Sequence, residues 1–119
     1  MNESITITAP VEVPIERIAD TLCCALEGGS NYWIEAQVTQ FTDLEVEWAH
    51  EAMAHGAKFA IKLFEEDEYQ NPKLDITAAL TLMATDHPAD FKNMINENED
   101  AETGDILFQL ICFGEIVYG

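Results

Sequence analysis

The sequence predicts an α+β fold: a single small domain spanning residues 1–119, with about three short strands and four to five helices. Three observations lead there. Apolar residues alternate with a period of two around residues 5–8, 32–39 and 58–64. They recur with helical spacing over residues 14–27 and through much of 75–113. The stretch 101–113 is apolar nearly all round, which marks a buried, central C-terminal helix. With 119 residues, 48% of them hydrophobic, the chain has the size and apolar content of an ordinary domain.

Taken in order, Ile5 and Ile7 alternate with threonines in a short first strand, Ser4–Thr8. Pro14 suits the first helical position, and Ile15, Ile18, Ala19, Leu22 and Leu26 then share one face. Gly28 is expected to end that helix as a left-handed cap. Tyr32 to Thr39 reads as a strand, with Tyr32, Ile34, Ala36 and Val38 on one parity. Leu44, Trp48, Ala52 and His55 fit a helical stripe that Gly56 would close. Lys58 to Phe64 alternates as a further strand. Asp75 caps a helix carrying Ile76, Ala79, Leu80 and Met83, and His87-Pro88 starts another with Phe91, Met94 and Ile95 inward. Asp100 caps the final helix, Gly114 closes it, and Glu115–Gly119 follows as a tail or short edge strand.

Charge is the outlying property. Against 23 acidic residues stand 5 basic ones, a net charge of −18. That excludes direct nucleic-acid binding through phosphate neutralisation, which needs a basic face, and argues against anionic lipid surfaces. The N-terminus lacks a basic and apolar leader, and no window approaches the roughly 18 consecutive apolar residues of a membrane span. Cys23, Cys24 and Cys112 are an odd set with two adjacent, which suits buried thiols in a reducing cytoplasm better than disulfides.

Catalytic and metal motifs are weak. His50 to His55 resembles the zinc helix of two histidines at i and i+4, but its histidines are five apart and diverge by about 140° around the axis. Asn96–Asp100 suggests a calcium loop, yet Ala101 and Leu107 stand where that loop needs glycine and glutamate. No phosphate-cradling glycine loop and no nucleophile elbow occurs. The chain is therefore read as a non-enzyme without cofactor or metal.

The carboxylates themselves carry the remaining signal. They gather as Asp43, Glu45, Glu47 and Glu51; as Glu65, Glu66, Asp67 and Glu68; and as Glu97, Glu99, Asp100 and Glu102, followed by Asp105. Carboxylates at helical i, i+4 spacing stand about 5–6 Å apart at Cβ, comparable with successive phosphates of a DNA strand. An acidic face of this kind can occupy arginines and lysines meant for phosphates and associates quickly by electrostatic steering. Tyr32 and Trp33 form an alternative interface, if exposed.

Two stretches, Glu27-Gly28-Gly29-Ser30-Asn31-Tyr32-Trp33 and Phe113-Gly114-Glu115-Ile116-Val117-Tyr118-Gly119, resemble a family of small acidic proteins from tailed bacteriophages. Asp105-Ile106-Leu107-Phe108-Gln109 adds to the likeness. The resemblance implies a setting rather than an activity: a phage product acting in the cytoplasm of an infected bacterium. In composition and size, though not in sequence, the acidity is similar to that of phage DNA mimics such as antirestriction and anti-CRISPR proteins. The expectation is an inhibitor, monomeric or weakly dimeric, whose partner is a host defence protein with a basic nucleic-acid-binding surface. The alternatives are a phage accessory or assembly protein and a sponge for a nucleotide signal.

Overall fold

A computed structural model describes residues 12–41 and 45–119. The expected strand Ser4–Thr8 lies outside those residues, as do Asp43 and Leu44. Among the described residues the chain forms five α-helices and one two-stranded antiparallel sheet, an α+β arrangement. No described helix is long and apolar enough to cross a membrane.

Helix α1 spans Ile15–Cys24. Pro14 stands one step outside it as the cap, its carbonyl accepting from the backbone N–H groups of Arg17 and Ile18 at 3.0 and 3.3 Å. Ile18 and Leu22 face inward as the spacing requires. The helix does not stop at a left-handed glycine. It widens into a π-helical turn over Ala25–Gly29, closed by the Ser30 N–H on the Ala25 carbonyl at 2.9 Å. Gly28 has φ 176°, an extended backbone open to any residue, and space around its α-carbon. Gly29 is the constrained one, because a Cβ there would drive into the Ala101 carbonyl oxygen.

Strand β1, Ile34–Thr39, pairs with β2, Phe59–Leu63. A register shift between Ile34 and Ala36 reverses the expected parity. Ile34 points inward opposite Leu63, but beyond the irregularity Gln37 and Thr39 stand opposite the buried Ile61 and Phe59. Val38 is consequently exposed on the outer face. Gln70 then bridges to Ile61 on the other side of β2, through bonds of 2.8 and 3.0 Å.

Helix α2 is short, Ala49–Ala54, and buries Ala52, Met53 and Ala54. The expected stripe through Trp48 and His55 is not its inner face: Trp48 precedes the helix, 61% exposed, and His55 follows it, also exposed. Helices α3, Ile76–Asp86, and α4, Pro88–Ile95, match the expected apolar faces, with Ala79, Met83 and Met94 fully buried. Helix α5, Ala101–Phe113, is central: it packs on α1, the π turn, α3 and α4. Asp100 caps it by accepting from the Thr103 N–H at 2.9 Å, and Gly114 closes it with φ 74°. The residues after Gly114 form a docked tail without strand structure.

Where α1 passes into the π turn it touches α5 backbone to backbone, through Gly104. A Cβ on Gly104 would meet the Ala25 nitrogen at 2.6 Å, the Thr21 carbonyl oxygen at 2.7 Å and the Cys24 Cβ at 2.9 Å. Two of these obstacles are backbone, so the helices would have to separate. Gly104→Ala is therefore expected to cost about 1–3 kcal/mol or more. Gly28→Ala should stay within about 0.5 kcal/mol of the native protein, and Leu107→Ala, in the same central helix, should lose about 2–5 kcal/mol. Urea unfolding midpoints at constant slope measure all three.

Candidate functional site

One residue beyond Gly104, the Asp105 carboxylate collects four side-chain donors. Oδ1 accepts from Trp33 Nε1 at 2.7 Å and Ser30 Oγ at 2.9 Å. Oδ2 accepts from the Tyr32 hydroxyl at 2.6 Å and Gln109 Nε2 at 3.0 Å. Gln109 stands one helical turn further along α5 and is buried. Its amide oxygen accepts from the Val117 and Tyr118 backbone N–H groups, both at 2.8 Å, and its nitrogen donates to the Tyr118 carbonyl at 3.0 Å. The motif around Ser30–Trp33 and the C-terminal motif thus meet on two side chains of α5.

Aromatic packing covers the polar centre. The Trp33 ring stacks on Tyr118 with centroids 5.5 Å apart and planes at 12°, and packs tilted on Phe113 and Phe108 at 5.1 and 5.8 Å. Trp33 is only 2% exposed, so it belongs to the core and has no surface to offer a partner. Tyr32 remains 52% exposed, its ring edge-on to Tyr118. Burial of its hydroxyl, with the hydrogen bond to Asp105, pushes the Tyr32 phenol up to about 12 from 10.0.

The acidic clusters separate into different roles. Glu99 turns inward, its side chain 10% exposed, and accepts from Arg17 at 3.0 Å. Glu97 lies 3.5 Å and Glu16 3.9 Å from the same guanidinium, and Asp20 also pairs with it. Burial opposes charge on Arg17, yet these carboxylates, Glu99 foremost, hold its pKa above the ordinary value. Asp100 is occupied as the α5 cap. The Thr103 N–H holds its carboxyl below the ordinary 3.8, against the opposing effect of burial, so this contribution to stability is lost as pH falls through that lowered value. In the third cluster, then, Glu99 and Asp100 serve the fold and Glu97 faces Arg17; Glu102 is exposed.

Glu65, Glu66, Asp67 and Glu68 are different. All four are exposed in the turn after β2, and none forms an ion pair among the described residues, where every pair involves Arg17 or Lys62. Half-exposed Phe64 and Tyr69 flank the turn. Glu45 and Glu47 are exposed ahead of α2, and Glu51 is partly covered within it. Because α2 leads into the start of β2 and the acidic turn leaves its end, the C-terminus of α2 and the turn sit at opposite ends of that strand.

The three thiols are held in their protonated form. Burial raises the thiols of Cys23, Cys24 and Cys112, with Glu27 adding to the first and Glu99 to the second. Cys112 is buried, whereas Cys23 and Cys24 are only partly so, less covered than expected. His50 stacks on Trp48, 6.2 Å between centroids. No group of three metal-ligating side chains gathers among the described residues. Comparison with protein-family models, curated proteins and solved structures returned no match to this chain.

Two outcomes follow from this geometry. Asp105→Asn should bring the Tyr32 phenol back toward 10.0 in an ultraviolet absorbance titration, because the charged acceptor is gone. In the native protein the neutral phenol is favoured by folding, so its stabilising effect is full below 10.0 and is lost as pH rises to about 12. Separately, Arg17→Ala should lower the urea midpoint by leaving the inward-turned Glu99 unpaired, while Glu102→Gln should leave it unchanged.

Proposed function

We propose that the protein is a non-catalytic, phage-encoded inhibitor of a host nucleic-acid-binding defence protein, of anti-CRISPR or antirestriction type. Its acidic surface would occupy the cations that the partner uses for phosphates, with no cofactor and no direct contact with nucleic acid. The observation that carries this reading is the Glu65–Glu68 turn, four consecutive exposed carboxylates without an ion pair among the described residues. A run of like charges left unneutralised in a chain of net charge −18 destabilises the free protein by self-repulsion. A basic partner relieves that repulsion and gains rapid, steered association. Phe64 and Tyr69 beside the turn supply apolar surface of the kind that anchors the centre of protein interfaces. Glu45 and Glu47 offer a second exposed acidic segment. Glu99 and Asp100 are left out of the proposed surface, since both are engaged within the fold.

The test compares the native protein with a neutralised turn. Glu65 has φ 66°, so it is best replaced by asparagine, which tolerates that left-handed backbone, while Glu66, Asp67 and Glu68 become serine. Affinity capture from bacterial lysate, with mass spectrometry of the bound proteins, should yield a nucleic-acid-binding protein. Retention should fall steeply between about 50 mM and 200 mM salt, as contacts to phosphate-binding cations do. The neutralised variant should capture none while keeping its circular dichroism spectrum and urea midpoint. A partner held equally by both proteins at both salt concentrations would refute the acidic-surface mechanism and leave an accessory or assembly role as the better reading.

A further inference from the structure

A cleft of about 460 Å³ opens where the end of α2, the start of β2, the segment Asn71–Ile76 and Ile111 of α5 come together. That volume lies in the range of small-molecule sites. Met53, Phe59, Leu74, Ile76 and Ile111 give it apolar walls, and Lys58 and Lys73 belong to its lining. The segment carrying Lys73 is pinned, its N–H donating to the Cys112 carbonyl at 3.1 Å and that of Leu74 to Ile111 at 3.0 Å. The backbone at Lys58 is pinned as well, its carbonyl accepting from the Gln40 N–H at 2.9 Å.

The distribution of cations makes this cleft distinctive. The chain has five basic residues. Arg17 and Lys62 are in ion pairs; Lys58, Lys73 and Lys92 are in none among the described residues. Two of those three lie on one apolar cleft. Asp75 also lines it, but its Oδ1 accepts from the Ala78 N–H as the cap of α3. We propose that this cleft binds a small amphipathic carboxylate, its apolar body against Phe59, Leu74 and Ile111 and its charged head between Lys58 and Lys73. The surrounding negative charge works against any anion, so the apolar walls must contribute much of the affinity and the lysines the choice of head group. This activity is separate from that of the acidic turn.

Octanoate is the probe, titrated into the full-length ¹⁵N-labelled protein and followed by the backbone amide resonances. Saturable shifts confined to the cleft, at Met53, Gly56, Lys58, Leu74 and Ile76, are expected. Octylammonium, with the same chain and opposite charge, should produce shifts at least about tenfold weaker in affinity. The double variant Lys58→Gln, Lys73→Gln, which changes exposed side chains only, should weaken octanoate about tenfold and leave the rest of the spectrum in place. The neutralised Glu65–Glu68 variant should bind octanoate as the native protein does or more tightly, which separates this proposal from the inhibitor reading. Absent or non-saturating shifts, equal binding of octylammonium, or unchanged affinity in the double variant would each overturn it.

Discussion

The fold depends on one carboxylate placed where two helices touch. Gly104 lets α5 approach the end of α1 at backbone distance, and Asp105, the next residue, receives Ser30, Tyr32, Trp33 and Gln109. An ionised acceptor with several donors is strong because each bond is charge-assisted, and its loss leaves buried donors unpaired. The π turn leads into three of those donors, Ser30, Tyr32 and Trp33, while Gln109 stands on α5 itself. The turn ends directly before Ser30, whose N–H closes it on the Ala25 carbonyl five residues back. Gln109 then extends the network to the tail, and the Trp33 ring becomes a floor for Tyr118. The two motifs that stand out in the sequence are, on this account, two halves of one clamp.

The same structure sorts the acids. Arg17, the sole arginine, sits among Glu16, Asp20, Glu97 and Glu99, and Lys62 answers Glu35 at 3.0 Å. A central Arg–Glu pair mostly shielded from solvent links α1 to the segment before α5, and removing either partner leaves a charge poorly solvated. The turn after β2 has no such partner among the described residues, and its charge faces solvent. Carboxylates that look alike in sequence therefore divide into ones that hold the fold and ones that a partner can reach.

How much of this was legible beforehand follows from the range of each interaction. Helices α3, α4 and α5, with the Asp75 and Asp100 caps and the Gly114 stop, rest on residues a few positions apart, and their pattern is readable directly. The parity of β1 was not, because the irregularity between Ile34 and Ala36 is a backbone event that exchanges inner and outer faces without marking the side-chain pattern. In sequence Glu99 is indistinguishable from the candidate partner-binding carboxylates around it, because its partner Arg17 is 82 residues away. Trp33 read as a potential hot spot for the same reason: its acceptor lies 72 residues further on. A signal for the clamp was present in the i, i+4 spacing of Asp105 and Gln109, two polar residues on a helix otherwise apolar there. The lysine-flanked cleft left no trace, since Lys58 and Lys73 are joined only by the docking of the Asn71–Ile76 segment.

The central claim is that the Asp105 clamp is a closed structural unit and the exposed acids are the free surface. The two tryptophans test it within one molecule. The Trp33 indole N–H is bonded to Asp105 beneath Tyr118, while Trp48 stands 61% exposed. In hydrogen–deuterium exchange followed by NMR, the Trp33 indole proton should persist at a rate set by unfolding of the clamp, and the Trp48 proton should exchange as in a free peptide. Equal, rapid exchange of both indole protons would show that the clamp is open in solution and would contradict the account.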